Sequence, residues 1–355
     1  KKMKVLKSLK VGKILLNNRI CIAPMCQYSA KDGNPSKWHY LHLAKLMRAG
    51  AGMMLIESTS VSKIGRISDK DLTLINKNNA TNFSKLVKEL RKISSTKIGV
   101  QLSHSGRKGS SMVPWKKSNF PLNNKKGWKT LSPSNLKRDK HWPNPKEMIK
   151  KDIDIVKNNF ISSAIYSKKI GFDCLEIHMA HGYLLHQFFS PISNLRKDEF
   201  GGNLKNRCRL LIEIAKGVRK VWPKNKILGA RISGKDWLKN GATEKDCIYL
   251  SRQLKKIGFN YVCITSGGII PKTKIKFKKG YQVFLANKVK KNCSILVKTT
   301  GMIKDIQHAE KIVKEKKADL VSFGRKFINS PNWLVKELIK NNLKTYIPDQ
   351  YKRCF

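Results

Sequence analysis

Eight short apolar runs with amphipathic stretches between them limit what this chain can fold into more than any other feature. The runs are Arg19–Ala23, Met53–Glu57, Lys97–Leu102, Asp173–His178, Ile227–Ile232, Tyr261–Thr265, Ile295–Thr299 and Asp319–Phe323. Each is five or six residues long and bounded by Gly, Pro or polar residues, the pattern of a strand buried on both faces. Helical periodicity marks 37–49, 82–93, 150–170, 203–221, 244–257, 304–315 and 332–340. Strands alternating with helices predict a parallel sheet, and eight of them predict its closure into a (β/α)8 TIM barrel. A doubly wound sheet would want G-x-G-x-x-G after its first strand. Here that strand ends Ala23-Pro24-Met25-Cys26, and Gly50-Ala-Gly52 follows a helix instead of a strand.

No linker or internal repeat divides the chain, so residues 1–355 are expected to form one domain. About seventy residues separate Leu102 from Asp173, and only 150–170 are needed for a crossover helix. The remainder, 103–148, holds Trp115, Trp128 and Trp142 and is expected to be a capping insertion between strand 3 and strand 4.

A hydrophobic fraction of 40% suffices for a core, which excludes wholesale disorder. No run of eighteen apolar residues occurs, so no membrane helix is expected. Asn17, Asn18 and Arg19 interrupt the N-terminal apolar stretch and exclude a signal-peptide core. Lys1 in place of Met implies a start that lies upstream or is processed. The eight cysteines are scattered, none as C-x-x-C, which predicts buried, reduced thiols and a cytoplasmic location. The net charge of +51 would suit nucleic acid if it were clustered. It is spread over nearly every segment, and Lys, Asn and Ile share A/T-rich codons. Compositional bias explains it, and no specific nucleic-acid partner is expected.

In such a barrel the chemistry lies at the C-terminal ends of the strands. There the chain offers Cys26 and Tyr28, Ser58–Ser60, Gln101, His178 with His181 and Tyr183, Arg231, Ser266-Gly267-Gly268, Gly301-Met302 and Gly324-Arg325. Glycines after the last two strands, one beside Arg325, predict a phosphate site; Gly267-Gly268 are expected to add a backbone approach. His178, His181 and Tyr183 suit carbonyl polarisation with proton delivery. The two histidines with His186 could also bind metal, though no H-E-x-x-H and no acidic cluster accompanies them, or could cap a helix.

The segments Arg19-Ile-Cys-Ile-Ala-Pro-Met-Cys26-Gln-Tyr28, Gln101-Leu-Ser-His-Ser-Gly-Arg-Lys108, Glu176-Ile-His-Met-Ala-His-Gly-Tyr-Leu-Leu-His-Gln-Phe-Phe-Ser-Pro191, Asp198-Glu-Phe-Gly-Gly-Asn203 and Phe323-Gly-Arg325 resemble the old yellow enzyme family of FMN-dependent ene reductases, collinearly and over essentially the whole chain. Cys26 and the ending Gln350-Tyr-Lys-Arg353-Cys-Phe355 resemble its bacterial NADPH dehydrogenase, or thermophilic-like, branch. The resemblance implies tightly bound, non-covalent FMN, NADPH as hydride donor, and ping-pong reduction of the C=C bond of α,β-unsaturated carbonyls or similarly activated alkenes. No metal is expected, since no H-E-x-x-H motif or acidic cluster accompanies the histidines. Pro24, Met25, Cys26 and Ser60 would border the flavin, Gln101 would bond its pyrimidine edge, and Arg231 would stabilise its reduced anion. Gly301, Met302, Gly324 and Arg325 would hold the phosphate. His178 and His181 would bind the substrate oxygen, Tyr183 would donate the proton, Tyr28 would add a substrate hydrogen bond, and Cys26 would tune the flavin potential. Lys108 would flank the mouth, and Arg353 would reach a neighbouring subunit's pocket in a homodimer or homotetramer.

Ser60, Phe355 and the long cap depart from the family pattern. Two other flavin barrels give rival readings. A tRNA dihydrouridine synthase-like enzyme acting on RNA would need a further helical domain. Dienoyl-CoA reductase relatives would need clustered cysteines for an iron–sulfur centre. A non-enzymatic basic protein would be expected to have lost the site residues.

Overall fold

In the computed structural model, which describes residues 3–354 apart from Asn124, Lys344 and Tyr346, the eight predicted strands close into one parallel barrel. They are β1 (Ile20–Ile22), β2 (Met53–Ser60), β3 (Lys97–Ser103), β4 (Cys174–Met179), β5 (Ile227–Ser233), β6 (Tyr261–Thr265), β7 (Leu296–Thr299) and β8 (Leu320–Phe323). Around them run α1 (Lys37–Met47), α2 (Lys77–Arg91), α3 (Lys150–Ile170), α4 (Arg209–Val221), α5 (Glu244–Ile257), α6 (Val283–Asn292), α7 (Ile306–Lys314) and α8 (Trp333–Lys340).

Local chemistry sets the helix ends. Asn76 caps α2 by accepting from the Asn79 N–H at 2.9 Å, which starts that helix earlier than periodicity alone predicts. Thr243 and Asp246 form a capping box on α5, and Gly258, with φ 101°, ends it. The predicted helix 203–221 breaks at Cys208 into Leu204–Arg207 and α4. Sequence periodicity missed α6, the N-terminal hairpin Leu9–Val11 with Ile14–Leu16, and the short helix Leu184–Phe189.

Strand alternation sorts side chains between two cores. Leu175, Ile177, Leu228, Ala230, Val262 and Ile264 face the helices in the larger cluster. Cys21, Met53, Leu55, Cys174, Ile227, Tyr261, Cys263 and Leu320 fill the barrel interior, closed below by Val11 and Leu16 of the hairpin. One step up from Cys174 and Leu296 on the inward face come Glu176 and Lys298, both at most 1% exposed. Lys298 Nζ lies 2.7 Å from Glu176 Oε2. Tyr261 Oη donates to the same oxygen at 2.7 Å, and Gln101 Nε2 to Oε1 at 2.8 Å. Gly229 makes room for this layer, since a Cβ there would stand 2.3 Å from the Tyr261 ring. Burial raises the Glu176 pKa, but Lys298 and Arg231 more than offset it, so the carboxyl stays ionised.

The insertion carries a two-stranded piece, Leu131–Ser132 with Lys146–Glu147, and a short helix, Pro114–Lys117. Arg107 staples it down by donating to the Leu136 and Ile269 carbonyls at 3.2 and 2.9 Å. All eight cysteines are free, and six are buried. Acids are scarce, and several serve two cations: Asp154 binds Lys150 and Lys157, Asp173 binds Arg91 and Lys226, and Glu244 binds Lys235 and Lys288.

Removing one partner of a buried ion pair strands the other. Lys298→Met is therefore expected to cost about 3–5 kcal/mol in denaturant unfolding, with much of that recovered in the double variant Lys298→Met/Glu176→Leu.

Candidate active site

Two residues above Glu176, the same inward alternation brings His178 to the top of β4, in register with Arg231 of β5. The backbone N–H of Ala180 donates to His178 Nδ1 at 3.2 Å. A neutral His178 therefore carries its proton on Nε2, which meets no partner among the described residues. The His181 ring stands edge-on to it, centroids 5.2 Å apart, and the Tyr183 ring lies 4.8 Å away. Burial, then Arg231, push both imidazole pKa values well below the usual range, so both rings are neutral at physiological pH.

His181 has φ 59°, a conformation that favours glycine and is held here by its surroundings. Its N–H donates to Ser233 Oγ at 3.1 Å. A Cβ on Gly182 would sit 2.0 Å from the Gly268 carbonyl oxygen. Gly268 therefore serves contact between the β4 and β6 loops, a role beside the backbone approach expected of Gly267-Gly268. His186 does not join His178 and His181 in a metal-like set. Its Nδ1 accepts from the Gly182 N–H and its Nε2 faces Asp236 Oδ1, both at 2.8 Å. Asp236 also accepts from Ser190 Oγ at 2.6 Å and the Ala242 N–H at 2.7 Å. His186 thus pins the turn that aims the other two. Among the described residues no group of three or more His, Cys, Asp or Glu is arranged to hold a metal ion.

Lys108 Nζ donates to the His181 carbonyl at 2.6 Å and stands 4.9 Å over the Tyr183 ring. Burial, then Arg138 and Arg107, bring its pKa down to about 7. Arg138 comes from the cap, a contribution that no sequence pattern announced. The Tyr28 backbone is also left-handed, φ 48°, with its ring 6.0 Å from Trp115. Together with Trp115 and Phe120 it lines a cavity of about 850 Å³ between the β1 loop and the cap. Burial, then Glu57 and Asp71, push the Cys26 thiol well up, so it is an –SH. Glu57, also unforeseen, accepts from the Gln27 N–H at 3.1 Å and so anchors the β1 loop.

Gln101 lies in the interior layer with its NH2 committed to Glu176, which leaves its carbonyl as the outward acceptor. Arg231 makes no hydrogen bond or ion pair with any described residue, and its Nε is buried without a partner. Met25 and Gly324 adjoin, with the Met25 Sδ 3.2 Å from where a Gly324 Cβ would be, and Pro24 precedes them on β1's exit. Gly301 has φ 102° and Met302 φ 51°, and Arg325 opens the short helix Arg325–Asn329 after β8. Ser60, at the top of β2, spends its hydroxyl on the Ser62 carbonyl at 2.7 Å. Arg353 is exposed on the terminal turn and is not brought to the other site residues. Phe355 lies outside the described residues.

The sequence profile of the NADH:flavin oxidoreductase / NADH oxidase family matches residues 4–345. The chain belongs to that family. It is 36% identical to a Clostridium acetobutylicum NADPH dehydrogenase over 99% of this chain and 100% of that one. The figure is also 36% for the Geobacillus thermodenitrificans NADPH dehydrogenase, over 96% and 95% of the two chains. The fold resembles that of the old yellow enzyme homologue from Zymomonas mobilis, with TM-score 0.80 and 21% identity over 98% of this chain and 96% of that one. Morphinone reductase in complex with tetrahydroNAD gives 0.78 and 22%, over 97% and 92%. The chain is accordingly an oxidoreductase with FMN as its cofactor. Its residues fit that group: Arg231 is an unpaired, half-buried cation, and the outward acceptor of Gln101 suits a flavin N–H.

Although burial raises it, His186, Ser190 and the Ala242 N–H hold the Asp236 pKa below the usual range. A depressed carboxyl stabilises the fold above its unfolded pKa and loses that contribution as pH falls through the folded one. Asp236→Asn is therefore expected to cost about 1.5–3 kcal/mol at pH 7 and less at pH 3, followed by thermal melts across pH.

Proposed function

We propose that this chain is an NADPH dehydrogenase of the ene-reductase kind, reducing the C=C bond of α,β-unsaturated carbonyls or similarly activated alkenes. The observation that carries this is the paired rim imidazoles, beside Tyr183 and above the unpaired Arg231. The NADPH dehydrogenase relatives support the choice of nicotinamide.

FMN, when bound, would supply the hydride-transfer chemistry between reduced nicotinamide and the alkene. Arg231 supplies fixed positive charge toward the flavin, and Gln101 accepts from its pyrimidine edge. Pro24, Met25, Cys26 and Ser60 border the ring, with the Cys26 thiol tuning its potential. Gly301, Met302, Gly324 and Arg325 hold the phosphate. His178 and His181 hold the substrate's oxygen and stabilise charge as it develops there. Tyr28 adds a hydrogen bond, and Tyr183 delivers the proton to the other alkene carbon, aided by the Lys108 charge over its ring. Arg353 reaches the pocket of a second subunit in a homo-oligomer. The RNA-modifying reading lacks support, because the full-length relatives are dehydrogenases and the lysines are dispersed.

Removing a preorganised donor costs about 10²–10³ in turnover. His178→Ala is expected to lose that much NADPH-dependent enone reduction while purifying yellow; undiminished turnover overturns the assignment. Lys108 is charged below about pH 7, and its charge makes Tyr183 the stronger acid. Enone turnover is therefore expected to fall as pH rises through about 7, a limb that Lys108→Met removes from the profile.

A further inference from the structure

The cavity of about 850 Å³ beside Tyr28 is roomier than a small enone requires. Trp115, Phe120, Met112, Val113 and Leu122 give it an apolar lining. The Tyr28 and Trp115 rings meet edge-on, 71° between their planes, and the Phe120 and His141 rings stack with centroids 5.6 Å apart. Trp115 is nonetheless 66% exposed, a large apolar surface that no core covers.

Around this lining stand Lys31, Lys70, Lys116, Lys117 and Lys126, all exposed. None of them makes an ion pair with a described residue, and Asp69 is the one acid among the lining residues. Elsewhere on the surface a single carboxylate serves two lysines. Here five cations ring an apolar hollow that holds one carboxylate. A cleft of one sign with low-dielectric walls concentrates its field, so it draws an anion more strongly than lysines on an open face do.

The hollow is preformed. The Met112 N–H donates to the Phe120 carbonyl at 2.9 Å and the Leu122 N–H to the Ser110 carbonyl at 2.7 Å, which folds 110–122 back on itself. Arg138 Nη2 donates to Asn119 Oδ1 at 2.7 Å and holds the tip. Tyr28 joins the hollow to the reaction centre. Its hydroxyl is close enough to Cys26 and Tyr183 for both to act on it, while its ring lies against Trp115.

We propose that this hollow is a tail subsite for the alkene substrate, taking a bulky apolar substituent that ends in an anion. The apolar wall covers the body of the substituent, and the lysines receive its charged end. The inference rests on the functional reading above and narrows its substrate to amphiphilic acids that carry an activated alkene. The nucleotide end of NADPH is the rival occupant of a basic hollow. Phosphate is commonly gripped by backbone N–H groups at a helix start or by arginines that hold two oxygens, and the lining contains no arginine. Its lysines supply charge without that grip, and its mostly apolar wall suits hydrocarbon.

The test uses the FMN-loaded protein and three cyclohexenones: the parent, one with a phenylalkyl side chain ending in a carboxylate, and the methyl ester of that acid. At low salt the acid is expected to exceed its ester in kcat/KM by roughly tenfold, a ratio that shrinks at high salt as the field is screened. Lys70→Glu/Lys126→Glu, which reverses one charge from the β2 loop and one from the cap, is expected to abolish that preference. Trp115→Ala is expected to lower kcat/KM about tenfold for acid and ester alike, relative to the parent enone, as loss of an apolar contact does. Each figure is a ratio within one protein, so a general loss of activity cancels. Equal kcat/KM for acid and ester in the native protein, or a preference that survives charge reversal, overturns the inference. So does a charge-reversed protein whose only change is a raised KM for NADPH, which gives the hollow to the nucleotide. A native protein that does not reduce the parent enone defeats the functional reading instead. Calorimetry with the acid then decides the subsite: binding that charge reversal abolishes supports it, and no binding to the native protein overturns it.

Discussion

The ion pair between Glu176 and Lys298 is the interaction on which the rest of the barrel depends. A closed eight-stranded barrel has room inside only for side chains, and this one places a full charge pair there with almost no exposure. Such a pair survives only if the remaining lone pairs are satisfied. Tyr261 and Gln101 do this for the carboxylate. The layer below is apolar and the layer above carries the candidate site, so the pair, with Gln101 beside it, is the floor on which His178 and Arg231 stand. Because Glu176 accepts and cannot donate, it also decides which end of Gln101 faces upward.

Above that floor, precision comes from hydrogen bonds between loops. Ala180 sets one imidazole, Asp236 and His186 hold the intervening turn, and Arg107 fastens the cap. Tyr28, His181 and Met302 all have left-handed backbones, one at each of three strand exits. Strain concentrated at a rim is stable only when the surroundings over-determine it, and here the interlocked loops do so.

All eight strands were legible because a run buried on both faces is apolar without interruption or nearly so; β6 has the expected bounds, and no strand end is displaced by more than three residues. The candidate site positions stand out in the sequence for a related reason: a polar residue at the upper end of such a run has few structural uses. Glu176 and Lys298 carried a similar signal and were passed over, because a single polar residue within a run looks like a boundary. Helix α6 was lost among its lysines, and the N-terminal hairpin has strands of three residues, too short for a period to appear. Asp236 and Arg138 were beyond reach for another reason. Each acts on a histidine or lysine far away in the chain, and only the folded chain brings them together.

The sharing of scarce carboxylates among abundant lysines makes the surface lopsided in what it tolerates. A lysine lost from such a cluster relieves crowding among like charges and leaves the acid with a second partner. The acid lost from the same place releases two cations into an already positive field. Drift can therefore trade lysines almost freely, whereas Asp154, Asp173 and Glu244 are held in place by the company they keep.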